Sequence, residues 1–180
     1  DAEILGAMGV PLYFEVNEHA YRGKNNLAIA KGTVIEHATG GAGNDRITGN
    51  NVANMLKGGT GNDVLAGGKG KDTLVGGAGK DVFDFNSKLE SGATLTTADI
   101  ITDFVRGQDR IDLAGIDAND VKAGNQAFTF IGSRAFGTNA TGQVRFADGV
   151  LYGSTEADKA REFVIKLTGI AALAASDLVL

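Results

Sequence analysis

The sequence predicts an all-β protein, a parallel β-roll of short repeats capped by an antiparallel, sandwich-like set of strands. Three observations carry that prediction. A nine-residue period runs from Gly40 to Asp84, helical periodicity is nearly absent, and short apolar runs alternate with Gly, Asn and Asp toward the carboxyl end.

The period fixes the central element. Nonapeptides begin at Gly40, Gly49, Gly58, Gly67 and Gly76, and four of the five fit G-G-x-G-x-D-x-U-x without a gap, a pattern tied to calcium-binding β-rolls. The second, Gly49-Asn50-Asn51-Val52-Ala53-Asn54-Met55-Leu56-Lys57, is degenerate. The glycines permit positive φ and let carbonyl oxygens turn inward. The sixth position adds a carboxylate. The last three residues form a short strand whose middle residue (Ile47, Leu56, Leu65, Leu74 or Phe83) faces a thin core.

Two nonapeptides complete one coil, so residue i lies beside residue i+18. Adjacent strands sit ~4.8 Å apart, and calcium takes oxygens at ~2.4 Å, so the stacking pitch matches one ion's diameter. The expected pairs are Asp45 with Asp63, Asn54 with Asp72, and Asp63 with Asp81. Turn carbonyls complete them: Gly41 and Gly43 in the first repeat, Asn50 and Val52 in the second, and Gly58, Gly59, Thr60 and Gly61 in the third. Gly67, Gly68, Lys69 and Gly70 follow, then Gly76, Gly77, Ala78 and Gly79. Counting nine outward from Asp45 and Asp81 reaches Glu36, Glu90 and then Asp99. Glu36 with Asn54, and Asp72 with Glu90, are expected end sites, with Asp99 as a cap. The plain alternative for these three acids is a solvated surface.

One large apolar residue per repeat does not offset an ordering cost of about 1.5 kcal/mol for each of nine residues. Paired aspartates without a cation also repel. The repeats are therefore expected to order only on binding three to six calcium ions, so that metal binding is folding free energy.

The rest of the chain divides around the repeats. Residues 1–39 carry expected strands at Leu12–Val16, Leu27–Ala30 and Thr33–Glu36 leading into the roll, which is assigned to residues 40–99. Residues 100–180 carry apolar runs at Ile100–Val105, Ile111–Leu113, Ala127–Ile131, Val144–Phe146, Val150–Tyr152, Phe163–Leu167 and Leu178–Leu180, which read as a β-sandwich or as the roll continued by antiparallel strands. A helical turn or two is expected in Glu156–Arg161 and Ile170–Ala175.

Composition excludes several functions. The 27 glycines against one proline cluster in the repeats, and a net charge of −5 would repel nucleic acid. The absence of cysteine removes disulfides and thiolate metal sites. No apolar run of membrane-spanning length exists, and residues 1–16 lack the basic and apolar regions of a cleavable leader. No G-x-S-x-G occurs. Gly68-Lys69-Gly70-Lys71-Asp72 carries an acid where a phosphate loop needs a hydroxyl. Asp109, Asp112 and Asp117 read as turn formers rather than paired catalytic carboxylates.

The residues resemble the RTX proteins of Gram-negative bacteria, and more narrowly the carboxy-terminal domain of serralysin-type metalloproteases. The likeness rests on Thr33-Val34-Ile35-Glu36-His37-Ala38, the degenerate repeat, Asp99-Ile100-Ile101-Thr102-Asp103-Phe104, Gly107-Gln108-Asp109-Arg110-Ile111-Asp112-Leu113, and Ala175-Ser176-Asp177-Leu178-Val179-Leu180. It implies a secreted, extracellular protein whose calcium ligands map onto Glu36, Asp45, Asn54, Asp63, Asp72, Asp81, Glu90 and Asp99. It also implies a terminal export signal read by a type I (ABC) secretion machine, where an ordinary final strand is the alternative. The family's H-E-x-x-H is absent, since His19 and His37 do not fit it. The chain is therefore expected to be non-catalytic and to serve an amino-terminal catalytic domain. The other reading is an extracellular module that binds polysaccharide or a cell surface through the strands after Asp99.

Overall fold

Each nonapeptide strand has a large apolar side chain at its middle position whose neighbours point to the opposite face, so the strand buries one face and must stack that face on another strand. The computed structural model of the protein, which describes residues 13–15, 26–28, 36–158 and 160–180, shows how this happens. The repeat strands are β1 (Tyr13–Glu15), β2 (Asn26–Ala28), β3 (His37–Ala42), β4 (Arg46–Thr48), β5 (Met55–Thr60), β6 (Val64–Ala66), β7 (Thr73–Ala78) and β8 (Val82–Asp84). Then come β9 (Asp99–Ile101), β10 (Arg110–Asp112), β11 (Thr129–Phe130), β12 (Gln143–Ala147), β13 (Val150–Ser154), β14 (Phe163–Leu167) and β15 (Leu178–Val179).

The chain winds alternately between two sheets. One has the order β1-β3-β5-β7-β9-β14-β13-β12-β11 and the other β15-β10-β8-β6-β4-β2. Register follows the eighteen-residue step: Ala38 pairs with Leu56 and Leu56 with Leu74 in the first sheet, Ile47 with Leu65 and Leu65 with Phe83 in the second. The columns continue to Ile101 and Ile111. Ile47, Leu56, Leu65, Leu74, Phe83, Ile101 and Ile111 are all wholly buried between the sheets.

The carboxyl-terminal strands do not fold as a separate antiparallel unit. β12, β13 and β14 are antiparallel to one another, but β14 joins β9 in parallel and β15 joins β10 in parallel, so both roll sheets simply continue. β11 and β12 are also parallel. Phe128, Val144, Phe146, Leu151, Phe163 and Ile165 extend the same core, with Phe128 edge-on to Phe163 at 5.7 Å.

Among the described residues the helical element is a 3₁₀ turn, Ala175–Asp177. The helical turns expected at Glu156–Arg161 and Ile170–Ala175 do not form there. Bends occupy residues 156–158, where Asp158 Oδ1 accepts the Ala160 N–H. Residues 170–174 are irregular. The strand expected at Thr33–Glu36 lies outside the described residues except for Glu36, which precedes β3. Among the described residues no helix is long and apolar enough to cross a membrane.

Candidate metal centre

The turns joining the two sheets form two edges of the roll. On the first edge Asp45, Asp63, Asp81 and Asp109 stand in a row; on the second, Glu36, Asn54, Asp72 and Asp99 do. Each rung's main-chain N–H donates to the next carboxylate. Asp45 gives to Asp63 Oδ1 at 2.8 Å, Asp63 to Asp81 Oδ1 at 2.9 Å, and Asp81 to Asp109 Oδ1 at 3.0 Å. On the second edge Asn54 gives to Asp72 Oδ1 and Asp72 to Asp99 Oδ1, both at 2.8 Å. Glu36 holds the top of this row, its carbonyl accepting the Met55 N–H at 2.6 Å.

These ladders employ one oxygen of each carboxylate. The Oδ2 atoms of Asp63, Asp72, Asp81 and Asp99 are buried and accept no hydrogen bond. A buried ionised oxygen without a partner is costly. The glycine turns leave room for these oxygens and little else. A Cβ on Gly58 would lie 2.3 Å from Asp63 Oδ2, and one on Gly67 would lie 2.3 Å from Asp72 Oδ2. At the fourth position the reason for glycine is conformational as well as steric. Gly61 has φ +128°, and a Cβ there would meet the Gly43 carbonyl oxygen at 1.9 Å.

Electrostatics agree with the geometry. Burial pushes the Asp63 carboxyl up to about 6, Asp72 up to about 7 and Asp99 up to about 8. The ladder N–H groups oppose this, while neighbouring carboxylates reinforce it: Asp81 and Asp45 act on Asp63, and Glu90 acts on Asp72. Burial also raises Asp81, Asp109 and Glu90. Asp63, Asp72, Asp81 and Asp99 are thus buried beside other acids, with no cation among the causes acting on them. Among the described residues no three His, Cys, Asp or Glu side chains gather as a metal centre. That is the expected outcome when two carboxylates from adjacent coils supply part of a shell and main-chain carbonyls the remainder. An all-oxygen donor set suits a hard cation such as calcium.

The structure departs from simple counting after Asp81. Asp99, not Glu90, stands beside Asp72, so Asp99 is a rung rather than a cap. The cause is a longer connection over residues 85–98, which makes this step 27 residues instead of 18. Ser91 Oγ in that segment accepts the Asp99 N–H at 2.9 Å and donates to the Val164 carbonyl. Glu90 remains near, since its charge raises both Asp72 and Asp99, and its Oε2 accepts the Asn86 N–H at 2.9 Å.

Two further acids that the sequence reading did not single out for these rows join this framework. Asp109 ends the first row and takes the Val105 N–H on Oδ2 at 2.7 Å. Asp103 accepts the N–H groups of Gly76 at 2.9 Å and Gly77 at 2.8 Å. A usable signal existed for Asp109. Asp99-Ile100-Ile101 and Asp109-Arg110-Ile111 repeat the acid-x-apolar pattern of Asp72-Thr73-Leu74. Asparagines add a further ladder outside the first row, Asn62 N–H to Asn44 Oδ1 at 2.7 Å and Lys80 N–H to Asn62 Oδ1 at 2.8 Å.

Two parallel sheets wound from nonapeptides, with buried aspartates at the glycine turns, define an RTX-type β-roll. The chain belongs to the family described as the peptidase M10 serralysin C terminal, whose model matches residues 21–180. Among solved structures it is similar to the solution structure of the AlgE6R3 subunit from the Azotobacter vinelandii mannuronan C5-epimerase. The identity is 30%, over 78% of this chain and 80% of that one, with a TM-score of 0.41. No curated protein matches.

Proposed function

We propose that this chain is a non-catalytic calcium-binding module that folds outside the cell and supports type I secretion of a serralysin-like exoprotein. The observation that supports it most directly is the set of buried, unpartnered Oδ2 atoms on Asp63, Asp72, Asp81 and Asp99, each one strand spacing from the next acid of its row. On the first edge Asp45 and Asp63, Asp63 and Asp81, and Asp81 and Asp109 would hold ions, with carbonyls from the turns at Gly41–Gly43, Gly59–Gly61 and Gly77–Gly79. On the second, Asn54 with Asp72 and Asp72 with Asp99 would do so, helped by Glu90 and by turn carbonyls at Asn50, Val52 and Gly68–Gly70. Bound calcium supplies the positive charge these rows lack, in a total of three to six ions.

The division of labour follows the chain. Residues 1–39 lead into the roll, residues 40–99 carry the repeats that bind most of the calcium, and residues 100–180 contribute Asp109, cap the sheets and end in the export segment Ala175–Leu180. Extracellular calcium modules have Kd values of ~10⁻⁴–10⁻³ M, so each site contributes about 1 kcal/mol at millimolar calcium and nearly nothing at cytosolic levels. The chain would thus stay loose inside the cell and close outside it. Titrating calcium with circular dichroism and calorimetry tests this. Coil-like spectra in chelator and sheet spectra at millimolar calcium are expected. A sheet that persists after thorough chelation overturns the reading.

A further inference from the structure

Beyond the repeats, β12 and β13 carry a cationic cleft. Arg145 on β12 is cross-strand partner to Tyr152 on β13. The Arg145 Cζ lies 5.1 Å from the Tyr152 ring centre, and the Cζ of Arg161, just before β14, lies 5.4 Å from it. Arg145 also stands 6.0 Å from the Phe136 ring. Main-chain carbonyls fix both side chains: Arg145 donates to Ser133 O at 3.3 Å and Arg161 Nε to Ala93 O at 3.0 Å.

What sets these two guanidinium groups apart is that both lie over one aromatic ring. Elsewhere Arg46, Lys88 and Arg106 meet carboxylates, whereas among the described residues Arg145 and Arg161 meet none. Arg145 Nε is buried and donates to nothing. In a chain of net charge −5, two neighbouring cations without a counter-charge repel each other at a site that the protein's own acids do not neutralise. A guanidinium over an aromatic face keeps several N–H donors at its edge, beyond the one each gives to a main-chain carbonyl here. They border a cleft of about 480 Å³, a volume typical of ligand sites, whose other walls are Ala93, Ala135, Ala160 and Phe136.

We propose that this cleft binds the carboxylate of a short peptide, held between Arg145 and Arg161, with small apolar residues of that peptide against the alanines and Phe136. Two forks supply many donors, which suits a carboxylate. The Tyr152 hydroxyl is the one side-chain acceptor in the lining, a poor match for a hydroxyl-rich sugar that needs both donors and acceptors. The proposal is independent of the calcium reading.

The test uses the full chain at millimolar calcium and calorimetric titration. The probes are acetyl-Ala-Ala-Glu amide, acetyl-Ala-Ala-Ala with a free terminal carboxylate, acetyl-Ala-Ala-Ala amide as the uncharged control, and trigalacturonate. One or both carboxylated peptides should bind more tightly than the control; which of them does so identifies the carboxylate as side-chain or terminal. Arg145→Gln and Arg161→Gln should each weaken binding about tenfold, and Arg161→Lys should restore it only in part. Circular dichroism of each variant with calcium separates a lost site from a lost fold, and Arg161 is exposed, so its variant keeps the fold. Carboxylated peptides no better than the control, tighter binding of trigalacturonate, or unchanged affinity in both glutamine variants would overturn the proposal.

Discussion

Asp63 accepts the Asp45 N–H at 2.8 Å and gives its own N–H to Asp81 at 2.9 Å, so its carboxylate borders the gap on either side of it. Asp63→Ala should therefore disturb two neighbouring sites, lowering the calorimetric stoichiometry and raising the calcium midpoint severalfold. If both stayed at wild-type values, shared ligation would be wrong. The same buried acids set a pH dependence. Folding raises Asp63, Asp72 and Asp99 from 3.8 to about 6, 7 and 8, so the metal-free folded state binds more protons than the unfolded one between pH about 4 and 8. Their contribution is fully present below pH about 4 and is lost as pH rises through about 6 to 8. In chelator, acidification from pH 8 toward 5 should increase sheet content by circular dichroism. With calcium the order reverses, because protons compete for the same oxygens and affinity should fall over that range. The repeat aspartates were legible because a nine-residue spacing needs no structure to be counted. Asp103 carried no such mark, and Asp109 repeats the acid-x-apolar pattern but falls off the count, because the steps to the last coil are 27 and 28 residues.

At the level of turns and strands, glycine occupies space that a carboxylate must enter. Gly58→Ala would place a methyl group 2.3 Å from Asp63 Oδ2 and 2.5 Å from the Gly76 carbonyl oxygen. It should raise the calcium midpoint at least as much as loss of one ligand, read in the same titration. Farther along, a Cβ at Gly153 would meet the Phe163 ring at 2.0 Å, and Phe163 packs against Phe128 in the core. Gly153→Ala should cost about 1–3 kcal/mol through overpacking. Thermal unfolding at saturating calcium would measure that, and an unchanged midpoint would show that the ring moves freely. Apolar runs located the strands well, and Phe163–Leu167 coincides with β14 end to end. Strand direction stayed hidden, since alternation along a strand says nothing of its partner. The β9/β14 and β10/β15 pairs are parallel, and they join segments about 65 residues apart in the chain. The mistaken helical turns fell in alanine-containing stretches that turns and Asp177 claim instead, with Asp177 Oδ2 accepting the Ala174 N–H at 2.8 Å.

Across the whole molecule, the far end of the chain is fastened to the calcium edge. Asp177 is 2% exposed and accepts the Gly107 N–H at 3.1 Å and the Arg106 Nε–H at 3.3 Å, in the loop that carries Asp109. β15 then pairs with β10 beside it. Asp177→Ala should lower stability by about 1–3 kcal/mol, since a buried carboxylate that accepts from Gly107, Arg106 and Ala174 is lost. It should also weaken calcium binding at Asp81 and Asp109 more than on the other edge, where Asn54 and Asp72 sit; calorimetry of the variant would detect the asymmetry. The roll itself was legible in the sequence because its period is its architecture; that the later strands continue it was one of two readings, and the parallel joins at β9/β14 and β10/β15 were hidden because they depend on long-range pairing. The two lengthened steps carry a practical consequence for transplanting this element into another protein. A segment cut at Asp84, where the visible motif stops, would leave behind the last partners of Asp72 and Asp81, and such a graft would arrive with its lowest berths half built.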